Sequence, residues 1–309
     1  MLRVDGVTKQ YRGGVVANEG VTLGVASGEV VGLLGHNGAG KTTLVNQIVG
    51  IAKPDEGSIV VDGVDAVASP ARVRERCAVQ AQAHVPLTGL TPAKAIELVG
   101  RLRGARADVV VRRRDELIDR LDIGEWRDRP SAHLSGGVKR LVSFCVAAAV
   151  PAPLVMLDEP TNDVDPVRRR LLWNEIRRLA DDGAAVLLVT HNVAEAERAV
   201  DRLVVLDRGK VIARGTAGEL TAALRDVLRL EVRWAPDAPR PALPPAVVAV
   251  AERVGSATGR VAASDADHIL TWAREAQATS QIETFGLQPA SLEDAYVHLV
   301  SEPTMESPS

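Results

Sequence analysis

The residues whose types and spacing suggest chemistry begin with a glycine-rich segment, GHNGAGKT at 35–42, followed by Thr43. An apolar run at 30–34 precedes it, and a second apolar segment at 44–49 follows. A buried strand, a glycine-rich turn and a helix start are the context that the G-x-x-x-x-G-K-[ST] phosphate loop requires. The backbone amides and the helix N-terminus would bind phosphate, Lys41 would reach the β- and γ-phosphates, and the Thr42 hydroxyl would ligate Mg²⁺. An ordinary tight turn is the alternative, and the two flanks favour nucleotide binding. The candidate nucleotide-binding residues here are Gly35, His36, Asn37, Gly38, Ala39, Gly40, Lys41, Thr42 and Thr43.

Two adjacent carboxylates, Asp158 and Glu159, follow the apolar run 154–157. This pattern predicts a buried strand that delivers acids to the carboxyl edge of a sheet, where open α/β sheets bind ligands. Buried neighbouring carboxylates are costly unless a cation or a proton compensates them, and bound Mg²⁺ with a water to be deprotonated would do so. His191 directly follows the apolar run 184–190. A histidine there is often only a surface residue, but its position after the phosphate loop and the acidic strand fits a nucleotide site.

Three further candidates follow, and the first and the last allow two interpretations each. Ser135, Gly136 and Gly137 open an apolar helix at 138–149, which predicts either an anion site or only an N-cap with a close backbone approach. Gln82 ends a predicted strand at 77–82. Tyr11 is a candidate base-stacking ring, and as an isolated aromatic it is equally a packing residue.

Composition limits the class of protein. The chain has 309 residues, of which 46% are hydrophobic and 25% charged, with a net charge of −3, so no strongly basic surface indicates nucleic acid as the main ligand. Cys77 and Cys145 lie in apolar surroundings without metal-ligand spacing, which predicts core thiols in a reducing compartment and no zinc. The N-terminus lacks an apolar signal core. Prolines interrupt the longest apolar stretch, so we expect no membrane-spanning segment.

The strands and helices that must position these residues indicate an α/β fold. A composition rich in arginine and helix formers at about 91–130 predicts a helical insert, and its Arg112–Arg114 run is most simply a solvated helix face. Beyond about 218, crowded prolines at 236–245 indicate a stiff linker or loop within a small α+β unit, and the polar tail at 302–309 is predicted to be disordered. The predicted strands are 2–7, 21–25, 29–34, 57–61, 77–82, 154–157, 184–190, 202–207, 210–213 and 228–234. The predicted helices are 69–76, one from 91, 108–121, 138–149, 167–181, and two near 246–252 and 291–300.

Taken in order, these stretches resemble the nucleotide-binding subunit of an ABC transporter over residues 1 to about 220. Residues 35–42 match the Walker A loop, 154–158 match Walker B with Glu159 as the following acid, and 134–138 resemble the signature sequence. Residues 163–165 resemble the D-loop, and His191 matches the switch histidine. Gln82 matches the Q-loop glutamine; Gln80 competes for this assignment, and the distance to Leu90 and Thr91 favours Gln82.

The resemblance implies a P-loop NTPase core with an N-terminal antiparallel β subdomain, a helical subdomain at about 83–135 and an ABC ATP-binding domain at 1–220. A small C-terminal α+β domain, 221–309, follows. It also implies ATP and Mg²⁺ as ligands and a homodimer that closes head to tail over two ATP molecules. In that dimer Ser135, Gly136 and Gly137 would contact the γ-phosphate held by the other subunit. The implied roles of the remaining residues are general base or water orientation for Glu159, γ-phosphate and water contacts for His191, Mg²⁺ ligation for Thr42, Gln82 and Asp158, and adenine stacking for Tyr11.

The chain departs from the family pattern at two places. Val138 replaces the usual glutamine of the signature, which puts an amide contact across the dimer in doubt, and Asp163 and Val164 stand where glycine and leucine are commoner.

The segment 288–296 resembles the ending of ABC-2-type export ATPases, including the daunorubicin-resistance type, whose permease is a separate chain. We therefore expect an ATPase at the cytoplasmic face of the cell membrane, cytoplasmic when unassembled, that powers export of a drug-like or lipid-like compound. The alternatives are a soluble ABC ATPase acting on ribosomes or DNA, and a nucleotide-binding regulator that does not hydrolyse ATP.

Overall fold

The chain forms two compact units, Met1–Thr216 and Ala217–Ser309. The computed structural model describes residues 1–82, 89–236 and 238–301. The beginning of the predicted helical subdomain, 83–88, and the tail predicted to be disordered, 302–309, lie outside the described residues.

The first unit contains two sheets. A four-stranded antiparallel sheet has the order β2-β1-β4-β5, and a six-stranded sheet has the order β10-β9-β3-β8-β7-β6. The strands are β1 (Leu2–Gln10), β2 (Val16–Val25), β3 (Val30–Leu34), β4 (Glu56–Val61), β5 (Val64–Asp65), β6 (Cys77–Gln80), β7 (Leu154–Asp158), β8 (Ala185–Thr190), β9 (Arg202–Asp207) and β10 (Lys210–Gly215). In the larger sheet, β3, β6, β7, β8 and β9 pair in parallel, and β10 is antiparallel to β9. The central strands β3, β7 and β8 are buried along their whole length, as the continuous apolar runs predict for parallel strands covered on both faces.

The helices of the first unit begin where the sequence provides caps. Thr91 accepts from the amide of Lys94 at the start of α3, and Asp165 accepts from the amides of Val167 and Arg168 at the start of α6. In both helices proline occupies the first turn, where its missing N–H is not needed. The helices are α1 (Lys41–Ile48), α2 (Pro70–Arg76), α3 (Pro92–Leu102), α4 (Ala107–Arg120), α5 (Gly136–Ala148), α6 (Pro166–Asp181) and α7 (Val193–Ala199).

The larger sheet separates two apolar cores. Helices α3 to α6 cover one core, in which Phe144 of α5 is fully buried. The other core lies against α1 and the antiparallel sheet. Cys77 and Cys145 are buried free thiols, as predicted, and burial raises the pKa of Cys77 to about 12.

The second unit is an antiparallel sheet with the order β12-β13-β11-β14 and a helix packed on it. The elements are α8 (Ala217–Leu220), β11 (Val227–Trp234), β12 (Val248–Arg253), β13 (Ser256–Ala262), α9 (Ala266–Ala278), β14 (Ile282–Pro289) and α10 (Leu292–Ser301). The predicted helix near 246–252 is wrong, because this valine-rich segment forms β12 and pairs with β13. Helix α9 was not predicted from the sequence. Within the described residues, no helix combines the length and apolarity needed to cross a bilayer.

Candidate nucleotide site

The glycine-rich segment forms the turn between β3 and α1. Gly40 has a φ of +103°, and a Cβ there would lie 2.2 Å from the carbonyl oxygen of Ala17, so only glycine fits. Lys41 begins α1 with 9% of its surface exposed, and its Nζ donates to the carbonyl oxygens of Gly35 at 2.6 Å and His36 at 3.0 Å. Burial lowers the pKa of Lys41, while Glu159 and Asp158 raise it. Two backbone carbonyl oxygens of the loop therefore hold the ammonium group of Lys41.

The loop is braced by the turn between β9 and β10. Gly209 donates its amide to the carbonyl oxygen of Ala39 at 3.0 Å, and the carbonyl oxygen of Gly209 accepts from the amide of Glu19 at 2.9 Å. Nε2 of His36 lies 2.8 Å from Oδ1 of Asp207. The turn itself was predicted between the strands 202–207 and 210–213. Its contact with the phosphate loop was not, because that contact depends on strand order.

The two carboxylates lie at the carboxyl end of β7, beside the end of β8. Asp158 and Glu159 are 8% and 4% exposed. Thr190 Oγ1 donates to Oε2 of Glu159 at 3.0 Å, the amide of His191 donates to Oε1 at 2.9 Å, and Nδ1 of His191 lies 2.6 Å from Oε1. Glu159 has a φ of +50°, an unusual conformation for a non-glycine residue. Because β7 and β8 are parallel neighbours, their ends bring Glu159 and His191 together.

The charge of this acidic pair is only partly compensated within the protein. Burial and the neighbouring charge of Glu159 raise the pKa of Asp158, whereas Lys41 and Arg140 lower it. A divalent cation would stabilise the ionised form further.

The phosphate loop and the carboxylates share one cavity of about 450 Å³. Gln82 lies on its wall, whereas Gln80 is fully buried and donates to the carbonyl oxygen of Arg140 at 3.2 Å. Tyr11 is 44% exposed, with Lys9 Nζ 5.7 Å from its ring centre, and is not on the wall. The described lining residues are Val15, Val16, Ala17, Asn37, Gly38, Ala39, Gly40, Lys41, Thr42, Thr43, Gln82, Asp158 and Glu159. The sequence analysis missed the first three, which have no motif.

Ser135 caps α5, and its side chain accepts from the amide of Val138 at 3.3 Å. A Cβ at Gly137 would lie 2.3 Å from the carbonyl oxygen of Asp163, so the close backbone approach is present. Asp163 has a φ of +64°, a left-handed conformation that favours glycine, which is the commoner residue at this position in the family. The side chain of Val138 is buried in the core, so it fills space inside the subunit. Of the described residues, none of Ser135, Gly136 and Gly137 lines the cavity.

Comparisons with known proteins identify the family. The sequence profile described as ABC transporter matches residues 18–162. The daunorubicin/doxorubicin resistance ATP-binding protein of Streptomyces peucetius is 39% identical over 75% of this chain and 70% of its own length. The chain belongs to the ATP-binding subunits of ABC transporters.

Two further comparisons extend this result. The Nod factor export ATP-binding protein I of Ralstonia nicotianae is 32% identical over 97% of this chain and 93% of its own length, so the similarity includes the second unit. A solved ATP-binding subunit of an ABC transporter superposes with a TM-score of 0.68 at 30% identity, covering 72% of this chain and 92% of that one. The predicted family and the predicted P-loop NTPase fold are confirmed.

As an ABC ATPase, the chain hydrolyses ATP and uses Mg²⁺. The cavity fits both: it joins backbone amides and a buried cation at one side to buried carboxylates at the other. Thr42, Gln82 and Asp158 all line this cavity and each carries an oxygen donor, the ligand type that Mg²⁺ prefers.

Proposed function

We propose that this chain powers the export of a drug-like or lipid-like compound through an ABC-2-type permease on a separate chain. The observation that carries the ATPase part is the shared cavity in which Lys41 and Thr42 face Gln82, Asp158 and Glu159. The export part follows from relatives named for daunorubicin/doxorubicin resistance and for Nod factor export.

In this proposal the phosphate loop binds the β- and γ-phosphates of ATP. Lys41 would exchange its two carbonyl acceptors, at Gly35 and His36, for phosphate oxygens. Thr42, Gln82 and Asp158 would hold Mg²⁺, which neutralises phosphate charge when bound. Tyr11 would stack on adenine from outside the cavity wall.

Glu159 would act as general base or water-orienting residue for in-line attack. The amide of His191 and the hydroxyl of Thr190 fix the carboxylate, so its orientation does not have to be acquired during the reaction. His191 keeps about half of its side chain exposed beside Glu159, and its Nε2 would contact the γ-phosphate and the attacking water.

A homodimer with two active sites would complete this arrangement. Ser135, Gly136 and Gly137 begin a capped 13-residue helix, a favourable position for an anion, yet they do not line the described cavity of their own subunit. We infer that they contact the γ-phosphate bound by the partner subunit, with Asp163 packed against the turn that they form.

The permease would dock beside Gln82, between this residue and the helical subdomain. An apolar cavity of about 580 Å³ shares Gln82 with the nucleotide cavity, and its lining includes Val45, Val49, Ile51 and Val79. Ile51 is 70% and Val79 is 39% exposed, so part of this apolar lining is open to solvent. Docking there would place the ATPase at the cytoplasmic face of the membrane.

Affinity purification of the tagged chain from detergent-solubilised native membranes tests this proposal. We expect a multi-span permease to co-purify with the wild-type chain and with Val254→Glu, and to be lost with Ile51→Glu. Val254 is the control because it is a fully exposed apolar side chain in the second unit. Recovery of ribosomal or DNA-bound partners instead, with ATPase activity intact, would favour the soluble alternative. A chain that binds ATP without releasing phosphate would favour the regulator.

A further inference from the structure

Arg140 joins the start of α5 to the segment that carries Gln82. Its side chain is 4% exposed. Nη1 donates to the carbonyl oxygen of Ala81 at 3.2 Å, and Nη2 donates to that of Gln82 at 2.9 Å. In the opposite direction, Gln80 donates its side-chain amide to the carbonyl oxygen of Arg140 at 3.2 Å. Hydrogen bonds in both directions therefore connect residues 80–82 with the start of α5.

The guanidinium of Arg140 is buried, and its hydrogen bonding is incomplete among the described residues. Nε has no hydrogen-bond partner within the described part of the chain, so the buried group is incompletely satisfied. Burial lowers the pKa of Arg140, and the carboxylates of Asp158, Asp163 and Glu159 raise it. A buried charge of this kind contributes little net stability compared with an apolar side chain of similar volume, so stability alone does not explain an arginine at this position.

We propose that Arg140 is a positioning residue that holds the backbone of Ala81 and Gln82 so that the Gln82 side chain faces the cavity wall shared with Thr42 and Asp158. Arg140 lies on α5, the helix that begins within the turn at residues 135–137. Its hydrogen bonds therefore also connect the Gln82 segment to that turn. The inference rests on the proposed function of Gln82 and deepens it.

The chemistry of arginine explains why this residue type is needed. Its planar fork presents two donors in fixed directions, which match two adjacent carbonyl oxygens. Lysine would keep the charge near Asp158 but offers one flexible ammonium, so it cannot hold both carbonyls in one geometry.

Arg103, which follows α3 and is partly buried, provides a control because it contacts the same two elements, α5 and β6. Its Nη1 donates to the carbonyl oxygen of Ala147 at 3.2 Å and its Nη2 to that of Cys77 at 3.4 Å, so it joins the other end of α5 to the start of β6. Burial also lowers the pKa of Arg103. A merely structural role for both arginines predicts the same effects from both substitutions.

The first test measures phosphate release by the full chain as Arg140→Lys and as Arg103→Lys. Because small misplacements of a group in the site are costly, we expect Arg140→Lys to lower kcat by roughly tenfold or more and to raise the Mg²⁺ concentration at half-maximal rate. Arg103→Lys should keep both values.

Two further measurements separate positioning from general damage. Hydrogen–deuterium exchange of the nucleotide-free chain should increase around 80–82 in Arg140→Lys and not in Arg103→Lys. Gln82→Ala combined with Arg140→Lys should lower kcat no further than the more damaging single change, because both act through one side chain. Equal kcat, Mg²⁺ dependence and exchange in the two lysine variants would overturn the inference, as would fully additive losses with Gln82→Ala. A wild-type chain that releases no phosphate would instead overturn the proposed function.

Discussion

Replacing Glu159 with glutamine separates the charge of this residue from its shape. The amide oxygen can take the place of Oε1 and accept from the amide of His191, and the amide nitrogen then faces Thr190 Oγ1. That hydroxyl already accepts from the amide of Asn192 and has a second lone pair available. The substitution therefore preserves the hydrogen-bond positions, and we expect the free energy of unfolding to change by about 1 kcal/mol or less.

What glutamine removes is the proton acceptor. A positioned general base contributes about 10²- to 10⁴-fold to a rate, so kcat should fall by this factor. The corresponding barrier increase is about 3–5 kcal/mol, since each tenfold costs about 1.36 kcal/mol. ATP binding should be retained, because the substitution removes a negative charge beside the phosphates. Loss of that charge also lowers the pKa of Asp158, so Mg²⁺-dependent ATP binding should persist to lower pH than in the wild type.

The assay is steady-state phosphate release together with equilibrium ATP binding across a pH series. Glu175→Gln is the matched control, because Glu175 is a 1% exposed carboxylate that pairs with Arg120 and Arg178, away from the cavity lining. The control should melt at a lower temperature and keep its kcat. An unchanged kcat in Glu159→Gln would refute the assignment of Glu159 as the base, and an equal loss in Glu175→Gln would show that removal of any buried carboxylate suffices.

Three other perturbations test separate parts of the account. Lys41→Ala should weaken ATP binding by about 1.5–3 kcal/mol, because a charged hydrogen bond to phosphate is lost. The melting temperature should not fall, because the substitution also removes a buried cation. Calorimetric titration measures the ATP affinity, and an unchanged affinity would contradict this role of Lys41. The pKa of Asp158 is raised in the metal-free chain, so this carboxylate becomes protonated as pH falls through a value above the ordinary Asp pKa of about 3.9. Because Mg²⁺ competes with that proton, the apparent affinity for Mg²⁺ should begin to weaken above the usual carboxylate range, and weakening confined to that range would contradict the burial argument. Ile269→Ala, in the core of the second unit, should reduce the free energy of unfolding of that unit by about 2–5 kcal/mol. It should therefore lower the midpoint temperature of one of two calorimetric transitions. Equal lowering of both midpoints would show that the two units do not melt separately.

The features that the sequence predicted correctly are local. Apolar runs directly before 35–42, before Asp158 and before His191 predict buried strands, and parallel strands end at one sheet edge. The closeness of Glu159 and His191 follows from that geometry, although the hydrogen bonds between them required the structure.

The features that were missed depend on contacts distant in the chain. The segment 246–252 lacks a clear alternation, and its pairing with β13 decides its conformation. For α9 a signal existed: Ile269, Ala273 and Ala276 repeat with helical spacing and all face the core. Arg140 had no such signal, because its partners lie on a loop far away in sequence.

A crystal structure of Glu159→Gln with Mg²⁺ and ATP tests most directly whether this cavity is the nucleotide site. We expect phosphates on the amides of 35–42, the metal ion at Thr42, Gln82 and Asp158, and the γ-phosphate against Ser135 of the partner subunit. ATP bound outside this cavity, or a γ-phosphate with no contact to a second subunit, would contradict this expectation.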